Sequence, residues 1–276
     1  MALPTPISSK RLAAALDAVI SNRAGSVPRC ITVTGSGGKT TTVEQMARLW
    51  ADRGLSVLVT TSTHLAHPAV HAYPFEQFVP YTHGGGDLPE PRGGQVVLFG
   101  LESTDKLAAP PRETIAKVAR RFDRVLVEGD GARGLPLRIH AQRDPVIPDI
   151  TELVIVVVGL KALGRSLDEQ VMYLSDRFRL LIRYGGTLVT PQVYRLLLEH
   201  HEGLLKGSAM VPVIVFCNQS DTISSAEAES VLEAMANRWQ GKPFDIVCGS
   251  WHLDRMEHHG HVAGNAYPEG AYCESV

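Results

Sequence analysis

Cysteine is scarce: Cys30, Cys217, Cys248 and Cys273 are the only four in 276 residues. No two share the spacing of a paired metal-ligand motif, which excludes a framework of that kind. Three of them sit in or beside β-like runs, where cysteine behaves as a small hydrophobe, so free thiols are expected. A dominant charge is missing too. With 27 basic and 29 acidic residues the net charge is −2, which leaves no electrostatic footprint for nucleic acid or an anionic membrane. Long apolar runs are absent: Val154 to Leu160 and Val211 to Cys217 fall far below the roughly 18 to 20 residues that span a bilayer, and they read as buried strands. The stretch from Met1 to Arg29 lacks a basic segment followed by an apolar core and a cleavage site, so a cytoplasmic chain is expected.

What is present is an ordinary globular balance, with 44% hydrophobic residues in 276, enough for one sizeable α/β core or two small domains. No internal repeat or low-complexity linker divides it, so residues 1–276 are read as one domain. Apolar positions Leu12, Ala15, Leu16 and Ile20 predict a short helix over 8–22. Strands then alternate with helices: strand 30–34, helix 40–53, strand 57–61, strand 96–100, helix 112–121 and strand 124–128. After these come strand 153–158, helices 168–183 and 191–200, strand 211–217, helix 225–239 and strand 244–248. Such alternation predicts a mostly parallel sheet with helices on both faces, an α/β fold like that of P-loop NTPases. Residues 63–95, rich in His, Pro and Gly, read as an irregular insertion. The segment bearing His252, His258, His259 and His261 reads as a solvated, flexible tail. Thr190-Pro191 and Ser224 are expected helix starts.

The most informative stretch is Ile31-Thr32-Val33-Thr34-Gly35-Ser36-Gly37-Gly38-Lys39-Thr40-Thr41-Thr42, an apolar β-prone run joined through a glycine turn to helix-compatible residues. Glycines at 35, 37 and 38 permit positive φ and close backbone approach, so successive N–H groups can converge on phosphate oxygens. The helix beginning near Thr40 offers its positive end to an anion. Gly35, Ser36, Gly37, Gly38, Lys39, Thr40 and Thr41 are therefore the expected cradle for ATP or GTP, with Thr40 as a ligand for Mg2+. The usual phosphate loop has four residues between its first Gly and the Gly-Lys pair, whereas only Ser36 and Gly37 stand between them here. The other reading, a glycine-rich strand-to-helix turn with a solvated lysine, leaves Lys39 and its three following threonines unexplained.

In parallel sheets the functional loops gather at the carboxyl ends of strands, and four further groups fall at such ends. Thr60, Thr61, Ser62, Thr63 and His64 follow the second strand. They suit a magnesium or substrate contact, with Thr61 the metal-ligand candidate, and they equally suit a β-prone strand end. Glu128 and Asp130 follow Val125-Leu126-Val127 in a glycine-rich turn, where a carboxylate serves a hard cation that keeps several waters. Glu128 is read as a magnesium-linked or water-positioning residue, and Lys39, Glu128 and Asp130 are the catalytic candidates. Arg133 is either a phosphate contact or an ordinary exposed arginine. Residues 158–165 are either a second-substrate wall or a plain turn. Asn218-Gln219-Ser220-Asp221 has the outline of a base-recognition loop, with Asn218 bracing the loop and Asp221 pairing with the base. Gln219 replaces the lysine of that outline, and a cap by Asp221 on the next helix is the alternative.

Taken together, these segments resemble the YqeC family, described as accessory proteins of selenium-dependent molybdenum hydroxylases. The resemblance rests on residues 33–41, 57–64, Glu128 to Leu137, Val157-Val158-Gly159 with Ala162-Leu163-Gly164, and Asn218 with Asp221. The glycine loop also has the spacing seen in Mur-type ligases, and the Glu128 turn is similar to the magnesium-binding turn of dethiobiotin synthetases. The resemblance implies a P-loop nucleotide-binding protein acting in maturation of a molybdenum hydroxylase. Its implied partners are a nucleoside triphosphate, an unidentified small molecule or cofactor, and an apo molybdenum hydroxylase. A nucleotide-gated assembly factor without chemistry of its own and a Mur-like ligase are the competing readings.

Overall fold

The structure is a computed structural model and describes residues 10–24, 27–82, 88–131 and 133–264. The chain opens with α1 (Lys10–Ala24), β1 (Cys30–Gly35), α2 (Lys39–Asp52), β2 (Val57–Thr61), β3 (His64–Ala66) and β4 (Gln77–Pro80). It continues through β5 (Val96–Glu102), β6 (Lys106–Ala108), α3 (Arg112–Ala119), β7 (Arg124–Glu128), β8 (Leu137–Arg138), β9 (Leu153–Gly159), β10 (Met172–Tyr173) and α4 (Ser175–Ile182). The last elements are α5 (Pro191–Glu199), β11 (Val213–Asn218), α6 (Ser225–Ala236), β12 (Phe244–Ser250) and β13 (Arg255–Val262). No helix among the described residues is long and apolar enough to cross a membrane.

Eleven strands form one sheet in the order β13-β12-β11-β9-β1-β7-β2-β5-β6-β3, with β4 also paired to β5. Its centre is parallel throughout, and antiparallel pairs occur only where β13, β6 and β3 join. Strand side chains point alternately to the two faces, so a run such as β9 must be apolar at every position to be covered on both. Val154, Val156 and Val158 pack with Val193, Tyr194, Leu197, Val231 and Met235 of α5 and α6. Ile155 and Val157 pack on the other side with Leu12, Leu16, Met46 and Trp50 of α1 and α2. Farther along the sheet, α3 covers Leu58, Val97, Phe99, Val125 and Val127 through Val118 and Ala119. Helices thus lie on both faces, as the sequence implies.

Register brings the carboxyl ends of five strands together. Gly35 faces Val157, Val33 and Thr61 both face Glu128, and Asn218 faces Gly159. Ligand crevices of open α/β sheets lie beyond these ends.

Three expectations need correction. Residues 63–95 are not irregular throughout: β4 extends the sheet beside β5, and β3 pairs with β6. Strands of three and four residues are too short to show a period. Residues 168–174 are not helical, because Leu174 has φ 62 and the helix starts only after it. Residues 255–262 are no tail but β13, an edge strand exposed along most of its length, so no apolar pattern marked it. The tail expectation beyond Gly264, and Cys273, lie outside the described residues. Cys30, Cys217 and Cys248 are buried free thiols. Ser224 caps α6 in a reciprocal box, its hydroxyl accepting from Glu227 N while Glu227 accepts from Ser224 N at 2.8 Å. Pro191 opens α5 without a side-chain cap from Thr190.

Truncating Ile155, fully buried at the middle of the sheet, with Ile155→Ala is expected to cost about 2 to 5 kcal/mol, read as a lower urea midpoint with an unchanged slope.

Candidate functional site

β1 ends where three glycines take backbone conformations closed to other residues. Gly35, Gly37 and Gly38 have φ of 93°, 83° and 127°. A Cβ on Gly35 would lie 2.1 Å from Val157 O, one on Gly37 2.4 Å from Gly159 Cα, and one on Gly38 2.3 Å from Asn218 Nδ2. The loop is therefore pressed onto β9 and β11. Ser36 N donates to Val157 O at 2.8 Å, Gly37 N to Leu135 O at 3.1 Å, and Ser36 Oγ to Pro136 O at 3.0 Å. The first bond of α2 runs from Thr42 N to Gly38 O at 2.9 Å. The N–H groups of Lys39, Thr40 and Thr41 precede it and stay available, as at any helix start. No acidic side chain occupies that first turn to compete for them.

Lys39 turns back over the loop. Its Nζ donates to Gly35 O at 2.9 Å and lies 3.0 Å from Asp130 Oδ1 and 3.9 Å from Glu128 Oε1. Asp130 Oδ2 accepts from Gly35 N at 2.8 Å, and Thr40 Oγ1 donates to Glu128 Oε2 at 3.2 Å. The sequence-chosen residues Gly35, Lys39, Thr40, Glu128 and Asp130 thus form one cluster, in which Lys39, Glu128 and Asp130 are all buried.

Two carboxyls in this cluster are driven apart. Burial pushes Glu128 up to about 7, with Lys39 opposing and the charge of Asp130 adding. Asp130 is equally buried, but the charges of Lys39 and then Arg138, with the bond from Gly35 N, outweigh that penalty and hold it below the ordinary aspartate value. Arg138 is fully buried, with Nη1 3.2 Å from Asp130 Oδ1 and Nη2 donating to Asp144 Oδ2 at 3.1 Å. His140 Nδ1 is 3.6 Å from Asp130 Oδ2, and burial pushes the imidazole down to about 3, so it is neutral. Opposed shifts within a neighbouring pair are how proteins separate an acid from a base.

The remaining candidates divide. Thr61 stands beside Glu128, but its hydroxyl donates to Glu128 O at 2.9 Å and accepts from Thr63 N at 3.0 Å, so the backbone holds it. Asn218 braces the glycine loop, with Nδ2 donating to Gly37 O at 2.8 Å. Asp221 neither caps α6 nor touches the loop: it is exposed and accepts from Ser250 Oγ at 2.5 Å. Gly159 backs the loop at Gly37, which places residues 158–159 beneath the cradle. Arg133 is exposed with its guanidinium 5.1 Å above the Tyr173 ring, and His64 is exposed on β3. His258 and His261 of β13 line a groove of about 690 Å³ with Glu229, Glu233 and Cys248, separated from β1 by β11 and β9.

Arg138 and His140 escaped sequence reasoning. The signal was there: Leu137 and Ile139 enter the core while Arg138 and His140 alternate with them towards Asp130. Glu44, His71 and Tyr73 also escaped, since only the fold brings the 67–76 segment against α2, where His71 Nε2 and Glu44 Oε1 are 2.5 Å apart.

The family model described as YqeC protein matches residues 31–176, which include the loop and both carboxylates. The chain is similar to the uncharacterized protein YqeC of Escherichia coli strain K12, at 31% identity over 166 residues, 58% of this chain and 63% of that protein. The chain therefore spans under two thirds of the curated relative's length. No solved structure matches it.

Because Glu128 titrates near 7 when folded and near 4.5 when free, folding takes up a proton between these values. Its contribution to stability is full below about pH 4.5 and is lost as the pH rises through 7. Glu128→Gln removes this loss. Relative to the native protein, the variant is expected to gain stability between pH 5 and pH 8, by on the order of a few kcal/mol, in urea titrations at both pH values.

Proposed function

We propose that this chain, which belongs to the YqeC family, binds a nucleoside triphosphate with Mg2+ and uses it as an NTPase or phosphoryl transferase in the maturation of a selenium-dependent molybdenum hydroxylase. The observation that carries the nucleotide reading is the loop from Gly35 to Thr41. Three glycines in positive φ, an anion-ready helix start and Lys39 lie at one point, with two buried carboxylates behind them. The role in hydroxylase maturation comes from the resemblance alone.

The residues suit the ligand. Phosphate oxygens accept from the free N–H groups of the first turn. Lys39 exchanges its contact with Asp130 for the terminal phosphate, and Asp130 stays charged through Arg138. Thr40 and Glu128 offer hard oxygen donors for magnesium, the donor type that ion takes. When bound, the ion neutralises phosphate charge. Catalysis then rests on positioning and electrostatics, since phosphoryl transfer asks little covalent chemistry of the protein. Asn218 contributes by fixing Gly37, so the cradle is shaped before the ligand arrives. The base, adenine or guanine, is left to residues near Asn218 and Asp221.

Lys39→Ala is expected to weaken triphosphate binding by about 1.5 to 3 kcal/mol, about 10- to 150-fold, in isothermal titration of protein whose fold is verified by circular dichroism. Thr40→Ala is expected to leave the fold intact and abolish the magnesium dependence of that binding. Unchanged affinity in Lys39→Ala would remove the phosphate role of this lysine.

A further inference from the structure

The segment from His67 to Glu76 lies along the outer flank of α2 and is pinned at both ends. Glu76 pairs with Arg48 and accepts from Val96 N at 2.7 Å, and Tyr73 OH donates to Ala66 O at 3.0 Å. His71 pairs with Glu44, one helical turn nearer the glycine loop than Arg48 and one turn beyond Thr40. That spacing puts Glu44 on the same helix face as Thr40, whose hydroxyl reaches Glu128. Thr40, bonded to Glu128, and Glu44, bonded to His71, therefore lie on one face of α2 beyond the loop.

The pairing fixes the imidazole. In the neutral tautomer that donates Nε2–H to the Glu44 carboxylate, the lone pair lies on Nδ1. His71 is 41% exposed while Glu44 is 14% exposed, so the carboxylate lies inside and the ring faces out. Tyr73 holds the ring edge-on at 4.5 Å. The titratable groups in contact with the His71 ring are Glu44 and Tyr73, and Tyr73 in turn lies in the field of Glu128. Burial and the charges of Glu128 and Glu44 raise Tyr73, so it stays a neutral phenol.

We propose that His71, oriented by Glu44, is the proton-accepting group for a second substrate that reacts beside Glu128, and that this substrate is a neutral hydroxyl compound rather than an anion. The inference rests on the triphosphate reading above. The Glu44 carboxylate beside His71 disfavours an anionic acceptor at that position. In the step, the acceptor oxygen bonds to the terminal phosphorus, the bond from that phosphorus to the bridging oxygen breaks, and its electron pair leaves with the nucleoside diphosphate. The acceptor proton passes to His71 Nδ1. Water serves as the simplest hydroxyl acceptor.

The test is phosphate release from Mg-ATP and Mg-GTP by the full chain, alongside binding of each nucleotide. His71→Ala and His71→Gln are expected to lower kcat about 100-fold, the usual weight of a positioned acid or base, with KM for the nucleotide unchanged. Added imidazole is expected to restore part of the rate in His71→Ala and none in His71→Gln, which a structural role for the side chain would not produce. Triphosphate binding with no hydrolysis by the native protein, or hydrolysis indifferent to His71, overturns this inference and leaves the nucleotide site standing. Failure to bind either triphosphate overturns both.

Discussion

The contact between Lys39 and Asp130 is the interaction on which the site depends. Asp130 has no exposed surface and Lys39 very little. A buried charge is tolerated only when paired and hydrogen-bonded. Each ion supplies what the other needs: Asp130 also receives Gly35 N, and Lys39 also reaches Gly35 O. The end of β1, the start of α2 and the turn after β7 are thereby tied at one point. Arg138 extends the tie to Asp144 and to Gly131 O, so the loop after β7 is anchored to the same charge.

That arrangement explains why the two carboxyls differ. Asp130 is surrounded by cations and donors, whereas Glu128 has only a longer contact to Lys39 and the hydroxyl of Thr40 to offset its burial. A phosphate arriving at the helix start would compete for Lys39. Arg138 would then keep Asp130 charged, and Glu128 would lose its only cation unless another took its place. Burial so weakly offset is what leaves this carboxyl titrating near neutrality.

Much of this was legible in the sequence because it is local. A strand covered on both faces reads as a near-continuous apolar run: β9 is one throughout, and β1, β7 and β11 are interrupted only at Thr32 and Thr34, at Arg124 and Glu128, and at Asn218, so their ends lie within a residue or two of where the sequence puts them. Gly35, Gly37, Gly38 and Lys39 declare a loop, and Glu128 with Asp130 stand at a strand end. What could not be read is what depends on distant register or on weak periodicity. β13 is exposed along most of its length and β3 is three residues long, so neither carries a pattern. The left-handed turn at Leu174 follows no glycine signal, so the helix was placed too early. The alternation of Arg138 and His140 with Leu137 and Ile139 marks them as facing one side, but that this side holds Asp130, and that His71 meets Glu44, follows only from contacts the chain makes in three dimensions. The base-recognition outline has Asn218 bracing its own loop, but Asn218 reaches across to Gly37 O of the glycine loop, and Asp221 is held by Ser250.

The most direct test of the account is a thermal-shift titration of the full chain with ATP, GTP and their diphosphates, each with and without magnesium. A ligand that binds the native state raises the melting temperature, by the equivalent of about 2.7 kcal/mol when present at about 100 times its Kd. The account expects stabilisation by a triphosphate that depends on magnesium and exceeds that by the matching diphosphate. No shift with any of the four nucleotides would contradict it, and the loop from Gly35 to Thr41 would then have to hold some other anion.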